Sequence, residues 1–553
     1  MDARVKTTPS LPGRAFARVA RAAIPALLVA AAAACAGDAA PGDAAAGLEP
    51  RDGGTLVIAG PNELSGLNVL VAVEAYSQDI LANALSLPLV ALDSAGGYVP
   101  RLAESWELEG DSAVVFRLRR DVRWHDGAAT TAHDVTFTFD RLKDRSATGA
   151  AAAALASWHA ATAIDSFTVR TTFAPHDEPL LDWVRIAMAP RHLLDSIPME
   201  RMQQAVYNEA PVGNGPFRVV SHAANDRWVF EANPDFAPSL GGRPHLDRVV
   251  WRVVPENAAQ VAELRTGSAD LILSPRAEEL AGLDAMPGVR ALVKPSRQFQ
   301  FIGWNGRREP LGDARVRRAL ALAIDRRVIL DAVRSGYGSI AAGPIPPFHW
   351  AYPDTVAPLP YDPAAARRLF AEAGLADRDG DGTLDTRDGQ AWSIELKIPA
   401  GNGFARDIAE MLVAQLAEVG VRATVRQTDF STLVEDITSP ARNFDAVLMG
   451  LENEFRIDLR GPFHSSQLDG PFQLGGYRNA SVDSLIDRAE SARDRDAARP
   501  FYHRLQRVLR DEQPWTFLWY APQLFAVSQR VHGVVMDERG AFVNVAEWWV
   551  DEG

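Results

Sequence analysis

The chain has 553 residues, 47% of them hydrophobic and 23% charged, and 71 acidic against 57 basic side chains give a formal charge of -14. That length exceeds what one hydrophobic core usually supports, so more than one lobe is expected. The negative balance argues against nucleic acid as a partner, and a lone cysteine excludes an intramolecular disulfide or a zinc site built on two thiolates.

From the amino end, Arg14, Arg18 and Arg21 precede the apolar run Ala22–Ala34, broken only by Pro25. The run is too short to span a bilayer and fits the apolar region of a secretory signal. Ala32, Ala33 and Ala34 stand directly before Cys35, in a pattern similar to a bacterial lipobox, with Ala32 where an aliphatic residue is usual. Residues 1–35 are therefore expected to be a lipoprotein signal peptide, with Cys35 acylated and first in the mature chain. Cleavage at an ordinary Ala-x-Ala signal is the alternative. Several acyl chains would hold the protein at a membrane, as one chain alone would not. Residues 36–53, rich in Ala, Gly, Asp and Pro, read as a flexible tether.

Structure is expected to begin at Gly54–Ala59, a short strand-like run. Val114, Phe116 and Leu118 alternate with Val115, Arg117 and Arg119, the period of a half-buried strand. Trp124-His125-Asp126-Gly127 closes that region with a turn, and Thr131 or Asp134 can start the next helix. Trp124 and His125 could stack on a ligand or bind a metal. The plainer expectation has the indole in a core and His125 in a turn hydrogen bond. Gly213 and Gly215 could cradle a phosphate, but no Lys-Ser/Thr follows them, and a bend between lobes accounts for them better.

Further along, Val316, Ala319, Leu320, Ala323 and Ile324 recur at helical spacing behind Asp313, a candidate N-cap. Asp362 can cap a second helix, with Pro363 in its first turn, Ala366, Leu369, Phe370 and Ala373 as its apolar stripe and Gly374 at its end. Ile408, Met411 and Leu412, then Phe501, Leu505, Val508 and Leu509, mark two more. Mixed α/β architecture follows. Between them, Asp377–Asp388 has the spacing of an EF-hand calcium loop: Asp377, Asp379, Asp381, Asp385 and Asp388 at the acidic positions, Gly382 at the sharp turn and Thr383 as a carbonyl donor. A structural calcium is one expectation; a plain turn between helix and strand is the other, because Asp388 stands where a longer Glu is usual.

No Gly-x-Ser-x-Gly elbow and no His-Glu-x-x-His pair occurs, and the one cysteine lies in the export segment. A hydrolytic enzyme thus has no positive support.

The blocks Leu102–Trp106, Phe116–Arg119, Val122–Gly127, Thr131–Val135 and Phe137–Phe139 are followed by Pro211–Phe217, Asn233–Phe236 and Thr266–Asp270. Asp313–Leu320, Ala323–Arg326, Tyr361–Gly374, Phe444–Ala446 and Gln513-Pro514 come next. In this order the chain resembles the family 5 extracellular solute-binding proteins, the dipeptide, oligopeptide and nickel receptors of ABC importers. The resemblance implies a two-lobed periplasmic-binding-protein type II (Venus-flytrap) fold with an extra subdomain. Lobe I would comprise 54–90, 205–299 and 521–553, subdomain II 91–204, and lobe III 300–520.

It further implies a monomer, periplasmic or otherwise extracytoplasmic, that needs no cofactor. Such a protein closes over a small solute, a peptide by preference, and delivers it unchanged to a membrane permease. By the same resemblance Glu74, Ala75 and Tyr76 reach the cleft, and Ile302–Asn305 lines it through Trp304 and Asn305, with core packing the alternative for Trp304. Glu454 and Asp458 are the candidates for pairing with a ligand ammonium, against a reading as solvated acids. Leu451–Asp458 departs from the family's usual Trp and Asp-Pro pattern. A receptor for a nickel-metallophore, haem, sugar or opine therefore stays open beside the peptide reading.

Overall fold

The apolar run Thr55–Gly60 becomes a strand because both its faces can be buried. It pairs in parallel with Arg248–Val253 on one side and with Leu271–Leu273 on the other, the setting in which continuous aliphatic sequence is stable. A computed structural model describes residues 49–551 apart from 65, 73, 148, 149, 156, 176, 177, 454, 455 and 493. The readings of the signal segment, of Cys35, of most of the tether and of Glu454 lie outside the described residues. The described chain belongs to one compact unit, Leu48–Gly553, and docking begins before Gly54. Gly53 N–H donates to His245 O at 2.8 Å and Asp52 meets His245 at 2.7 Å.

Around Thr55–Gly60 grows a seven-stranded sheet in the order Val289–Lys294, Gln523–Ser528, Leu271–Leu273, Thr55–Gly60, Arg248–Val253, Arg227–Ala232, Phe217–Ala223. A six-stranded sheet has the order Ser339–Ile340, Trp515–Tyr520, Gln298–Trp304, Ala446–Glu452, Ser393–Pro399, Arg422–Thr428. A four-stranded antiparallel sheet is made from Ala103–Glu109, Ala113–Leu118, Thr168–Phe173 and Trp158–Asp165. Within it Val114, Phe116 and Leu118 point into the core; Val115 is also buried, and Arg117 alone of the six residues is exposed.

Helices pack on both faces of the six-stranded sheet. On one face lie Ala314–Leu322, Pro363–Glu372 and Gly403–Glu418, which bury Val316, Leu320, Phe370 and Ile408. Asp313 caps the first through Arg315 N–H and Asp362 the second through Ala365 N–H, satisfying amides that no carbonyl of the helix can reach. The opposite face is covered by Ala480–Glu490 and Arg495–Glu512 through Leu485, Leu505 and Leu509.

The chain passes between the two large sheets at two places. Lys294 leads through Pro295-Ser296-Arg297 into Gln298, and Tyr520 leads through Ala521-Pro522 back to Gln523. These passages run side by side. Lys294 faces Gln523 in one sheet, Phe299 faces Tyr520 in the other, and Ala521 N–H donates to Gln298 O at 3.0 Å between them.

Two polar clamps hold the seven-stranded sheet and its neighbour. Asp270, side chain 2% exposed, accepts from Val57 N–H at 2.8 Å and from Arg530 through Nε at 2.5 Å and NH2 at 2.7 Å. It thereby ties three adjacent strands at one end. His125 spans from the four-stranded region to the glycine segment: its Nδ1 accepts from Gly213 N–H at 3.1 Å and its Nε2 lies 3.0 Å from Gly215 O. A Cβ on Gly213 would stand 1.8 Å from Leu85 O, so the backbone itself packs there, and Trp124 beside His125 fills the core.

Asp270→Ala leaves the Val57 amide and the Arg530 guanidinium without their shared acceptor, and is expected to cost about 3 kcal/mol of stability in urea unfolding. Burial, with Arg218 adding to it, pushes the His125 imidazole down to about 4 from 6.5. The unfolded chain then binds the extra proton between those values. Stability is full above pH 6.5 and falls as pH drops toward 4, by about 3 kcal/mol. Urea titrations at pH 7 and pH 4.5 should show a smaller loss for His125→Gln than for the wild type.

Candidate functional site

A cavity of about 170 Å³ opens beside the paired passages. Its walls come from distant parts of the chain: the turn Leu92–Gly96, Leu181, the passage residue Arg297, the loop around Trp350, Asn453, Arg495 and Glu538. Each is set by local structure. Asp93 Oδ1 accepts from the amides of Ala95 and Gly97, closing the first turn. Arg495 begins the helix Arg495–Glu512, capped by Asp494 through Ala497 N–H. Trp350 packs edge-on against Tyr502 of the same helix at 5.6 Å.

Charge is abundant here and mostly committed. Arg297, side chain 8% exposed, donates to Asn453 O at 2.8 Å and to Glu452 at 3.2 Å. Lys294 donates to Gln523 Oε1 at 2.9 Å, and burial lowers its pKa. Opposite the passages, Arg495 pairs with the buried carboxylate of Glu178 and donates to Gly96 O at 3.0 Å; its guanidinium stands 5.8 Å from the Tyr98 ring and 5.7 Å from that of Trp350. This contact joins the helix Arg495–Glu512 to the hairpin Val90–Pro100 at the same cavity that Arg297 lines.

Of the residues expected at a cleft, Tyr76 comes nearest to this description. Its hydroxyl lies 3.1 Å from Ser274 Oγ and its ring 5.7 Å from Trp251; burial raises its pKa, and the carboxylates of Glu74, Asp79 and Glu452 on the opposite sheet raise it further. Glu74 is spent on capping: both its oxygens accept from the amides of Tyr76 and Ser77, and Ala75 is exposed beside it. Trp304 is buried, its indole N–H donating to Thr516 Oγ1 at 2.9 Å. Asn305 is buried too and gives its amide to the carbonyls of Arg442 and Phe444. Trp304 ends the strand Gln298–Trp304 and Asn305 follows it; neither lines this cavity, and Trp304 lines a separate one of about 330 Å³. Asp458 is exposed and caps the short helix Arg460–Phe463 through Arg460 N–H and Gly461 N–H.

Arg297, Trp350, Arg495, Glu178 and Glu538 were not singled out in the sequence. Nothing in local spacing marks them, since they meet only through the folding of segments hundreds of residues apart.

In the expected calcium loop, Asp377, Asp379 and Asp385 bring carboxylate oxygens within 4.8 Å of one another. The other three residues are engaged elsewhere. Arg422 reaches Asp381 at 3.3 Å and Thr383 Oγ1 at 3.2 Å, and Asp388 accepts from Thr386 Oγ1 at 2.6 Å. Asp377 accepts from the amides of Gly380 and Gly382, and Asp385 from that of Arg378. These are the bonds of a self-capping turn.

The sequence profile of the bacterial extracellular solute-binding proteins, family 5 (middle), matches residues 97–455. The chain is 30% identical over 510 residues to oligopeptide-binding protein AppA of Bacillus subtilis, covering 91% of this chain and 92% of that one. It is 28% identical over 475 residues to heme-binding protein A of Haemophilus influenzae, covering 81% and 84%. The structure of AppA from Bacillus subtilis in complex with a nonapeptide superposes with a TM-score of 0.75 at 29% identity, covering 91% of this chain and all of that one. NikZ from Campylobacter jejuni in complex with Ni(L-His) shares the fold, with a TM-score of 0.73 at 24% identity over 90% and 99%.

Removing the Arg495 guanidinium takes away the ties to Glu178 and Gly96. Arg495→Ala should widen the particle, read as a larger radius of gyration in small-angle scattering than the wild type shows under the same conditions. An unchanged radius would mean that the pair does not hold the two sides of the cavity together.

Proposed function

Because this chain belongs to the bacterial extracellular solute-binding proteins of family 5, we propose that it captures peptides in the cavity beside the paired passages and hands them to an ABC importer. One observation carries the reading: a cavity walled by segments from distant parts of the chain, beside the two short strand passages that join the large sheets. Such a joint allows hinge closure, and a solute that touches both walls shifts the equilibrium toward the closed form. The likeness to AppA, solved with a nonapeptide and similar over 91% of this chain, favours peptide as the solute.

For a peptide the recognition is mostly generic. An extended main chain is held by strand-like hydrogen bonds that do not depend on side-chain identity, and its ends by charge. On this reading the two large sheets carry lobes I and III and the four-stranded sheet carries subdomain II. Tyr76, Glu454 and Asp458 are the side chains that meet the solute on this reading. The protein acts as a monomer without a cofactor and releases its solute unchanged. Cys35 carries the lipid that keeps it at an extracytoplasmic membrane face. Among the described residues no helix is long and apolar enough to cross a membrane.

The 28% identity to heme-binding protein A favours haem as the second reading. A thermal-shift panel separates the two, because a solute that binds the folded form raises its melting temperature. Di- to pentapeptides are expected to raise it by several degrees, and mass spectrometry of the solute released on denaturation should return intact peptides. A shift with haem and none with any peptide would overturn the peptide reading. Cleaved peptides accumulating with time would overturn transport without chemistry.

A further inference from the structure

The strand Gln298–Trp304 starts at one passage and its antiparallel neighbour Trp515–Tyr520 ends at the other. Trp304 and Trp515 therefore stand at the far end of the six-stranded sheet, about 20 Å from the passages at the usual rise of a strand. The separate cavity of about 330 Å³ opens there, bordered also by Arg317, Tyr477, Arg478 and Glu512. Its size lies at the lower end of small-molecule sites, about 300–1,000 Å³. Its walls are firm: a Cβ on Gly475 would stand 2.2 Å from Trp304 O and one on Gly306 2.9 Å from Gly475 O, so the two loops pack backbone to backbone.

Two cations and one acid border this cavity, and the acid is already served. Tyr477 Oη donates to Glu512 Oε2 and Asn479 Nδ2 to Glu512 Oε1, each at 2.7 Å. Arg317 is only 5% exposed. Its Nε donates to the carbonyls of Glu512 and Gln513 at 3.2 and 3.1 Å, and its Nη1 to those of Leu311 and Gly312 at 2.8 and 2.9 Å. Among the described residues Nη2 has no acceptor and the guanidinium has no acid at ion-pair distance, yet Nη2 keeps surface open to solvent. Burial lowers the pKa of Arg317 against Tyr477, Glu512 and Asp313, and Asp313 is itself taken by Arg315 at 2.6 Å. Trp515, 3% exposed, is in the same condition: among the described residues its indole N–H has no acceptor, and unlike those of Trp124 and Trp519 it is not sealed in. Arg478 is exposed at the rim and meets no carboxylate among the described residues. A nearly buried guanidinium without a counter-charge is costly, and the donors left over all border one open space.

We propose that this cavity binds a small oxyanion, the carboxylate or phosphate group of a metabolite-sized molecule, through Arg317 Nη2, the Trp515 indole N–H and Arg478. Bonds from a guanidinium to such a group are charge-assisted and belong to the strong class. The anion supplies the counter-charge that the wall lacks. A cation gains nothing there, because the one acid already accepts from Tyr477 and Asn479. The site stands apart from the cavity beside the passages and does not rest on the peptide reading.

The test is NMR of the full chain carrying ¹⁵N-labelled tryptophan indoles, titrated with inorganic phosphate and with succinate, and with sodium chloride at matched ionic strength. The signal that Trp515→Phe removes identifies the Trp515 indole. It should shift saturably with phosphate, succinate or both, and stay in place with chloride. A response to phosphate alone assigns a phosphate group, to succinate alone a carboxylate, and to both the oxyanion chemistry they share. Arg317 is left intact, because its bonds to carbonyls hold the surrounding chain. Arg478 is exposed and can be changed without risk to folding: Arg478→Ala should weaken the anion about 10-fold, and Arg478→Glu should abolish the shift. A Trp515 signal that moves with neither anion overturns the assignment. So does a shift that chloride reproduces, or one that Arg478→Glu leaves undiminished.

Discussion

The rest of the structure depends on the register that the two passages share. Lys294 opposite Gln523, Phe299 opposite Tyr520 and the bond from Ala521 N–H to Gln298 O make one continuous two-stranded ribbon that belongs first to one sheet and then to the other. Pro295 and Pro522 lie within it, where no ladder amide is required. Because pairing is kept on both sides of these prolines, rotation between the sheets is confined to the few dihedrals of 295–297 and 521–522. That is the geometry of a hinge rather than of a loose linker. It also explains why a cavity forms here: two rigid sheets joined along a narrow ribbon cannot pack their facing edges as tightly as a single core.

Charge placement follows from this joint. Lys294 ends the strand before the first passage, and Arg297, which lines the cavity, ends the passage itself. Each gives its hydrogen bonds to the ribbon or to the strand Ala446–Glu452 beside it. At the cavity Arg495 pairs with Glu178, an acid that is almost fully buried. A pair of this kind gains Coulomb energy and loses hydration in similar measure.

Elements with local causes were legible in the sequence; the cavity was not. Asp313 and Asp362 announce helix starts because a side-chain acceptor two or three residues before a free amide is a local fact, and both caps are present. The alternation in Ala113–Leu118 likewise reflects its two faces, and the extra burial of Val115 comes from a packing partner that alternation cannot report. Trp304 and Asn305 illustrate the opposite case. Their segment does lead to the ribbon, but side chains alternate across a strand and the turn after it folds inward. Trp304 reaches Thr516 and Asn305 reaches the carbonyls of 442 and 444. Arg495 and Glu178, 317 residues apart, have no sequence pattern in common at all.

The acidic loop shows how spacing under-determines chemistry. The intervals of Asp377–Asp388 suit a cation loop, yet the same intervals let Asp377, Asp379 and Asp381 accept from amides two to five residues ahead. Gly380 and Gly382, both at positive φ, make those amides reachable. Arg422, arriving from the neighbouring strand, then neutralises Asp381. Whether such a loop gathers a cation depends on which compensating charge the tertiary structure brings, and that charge lies forty residues downstream.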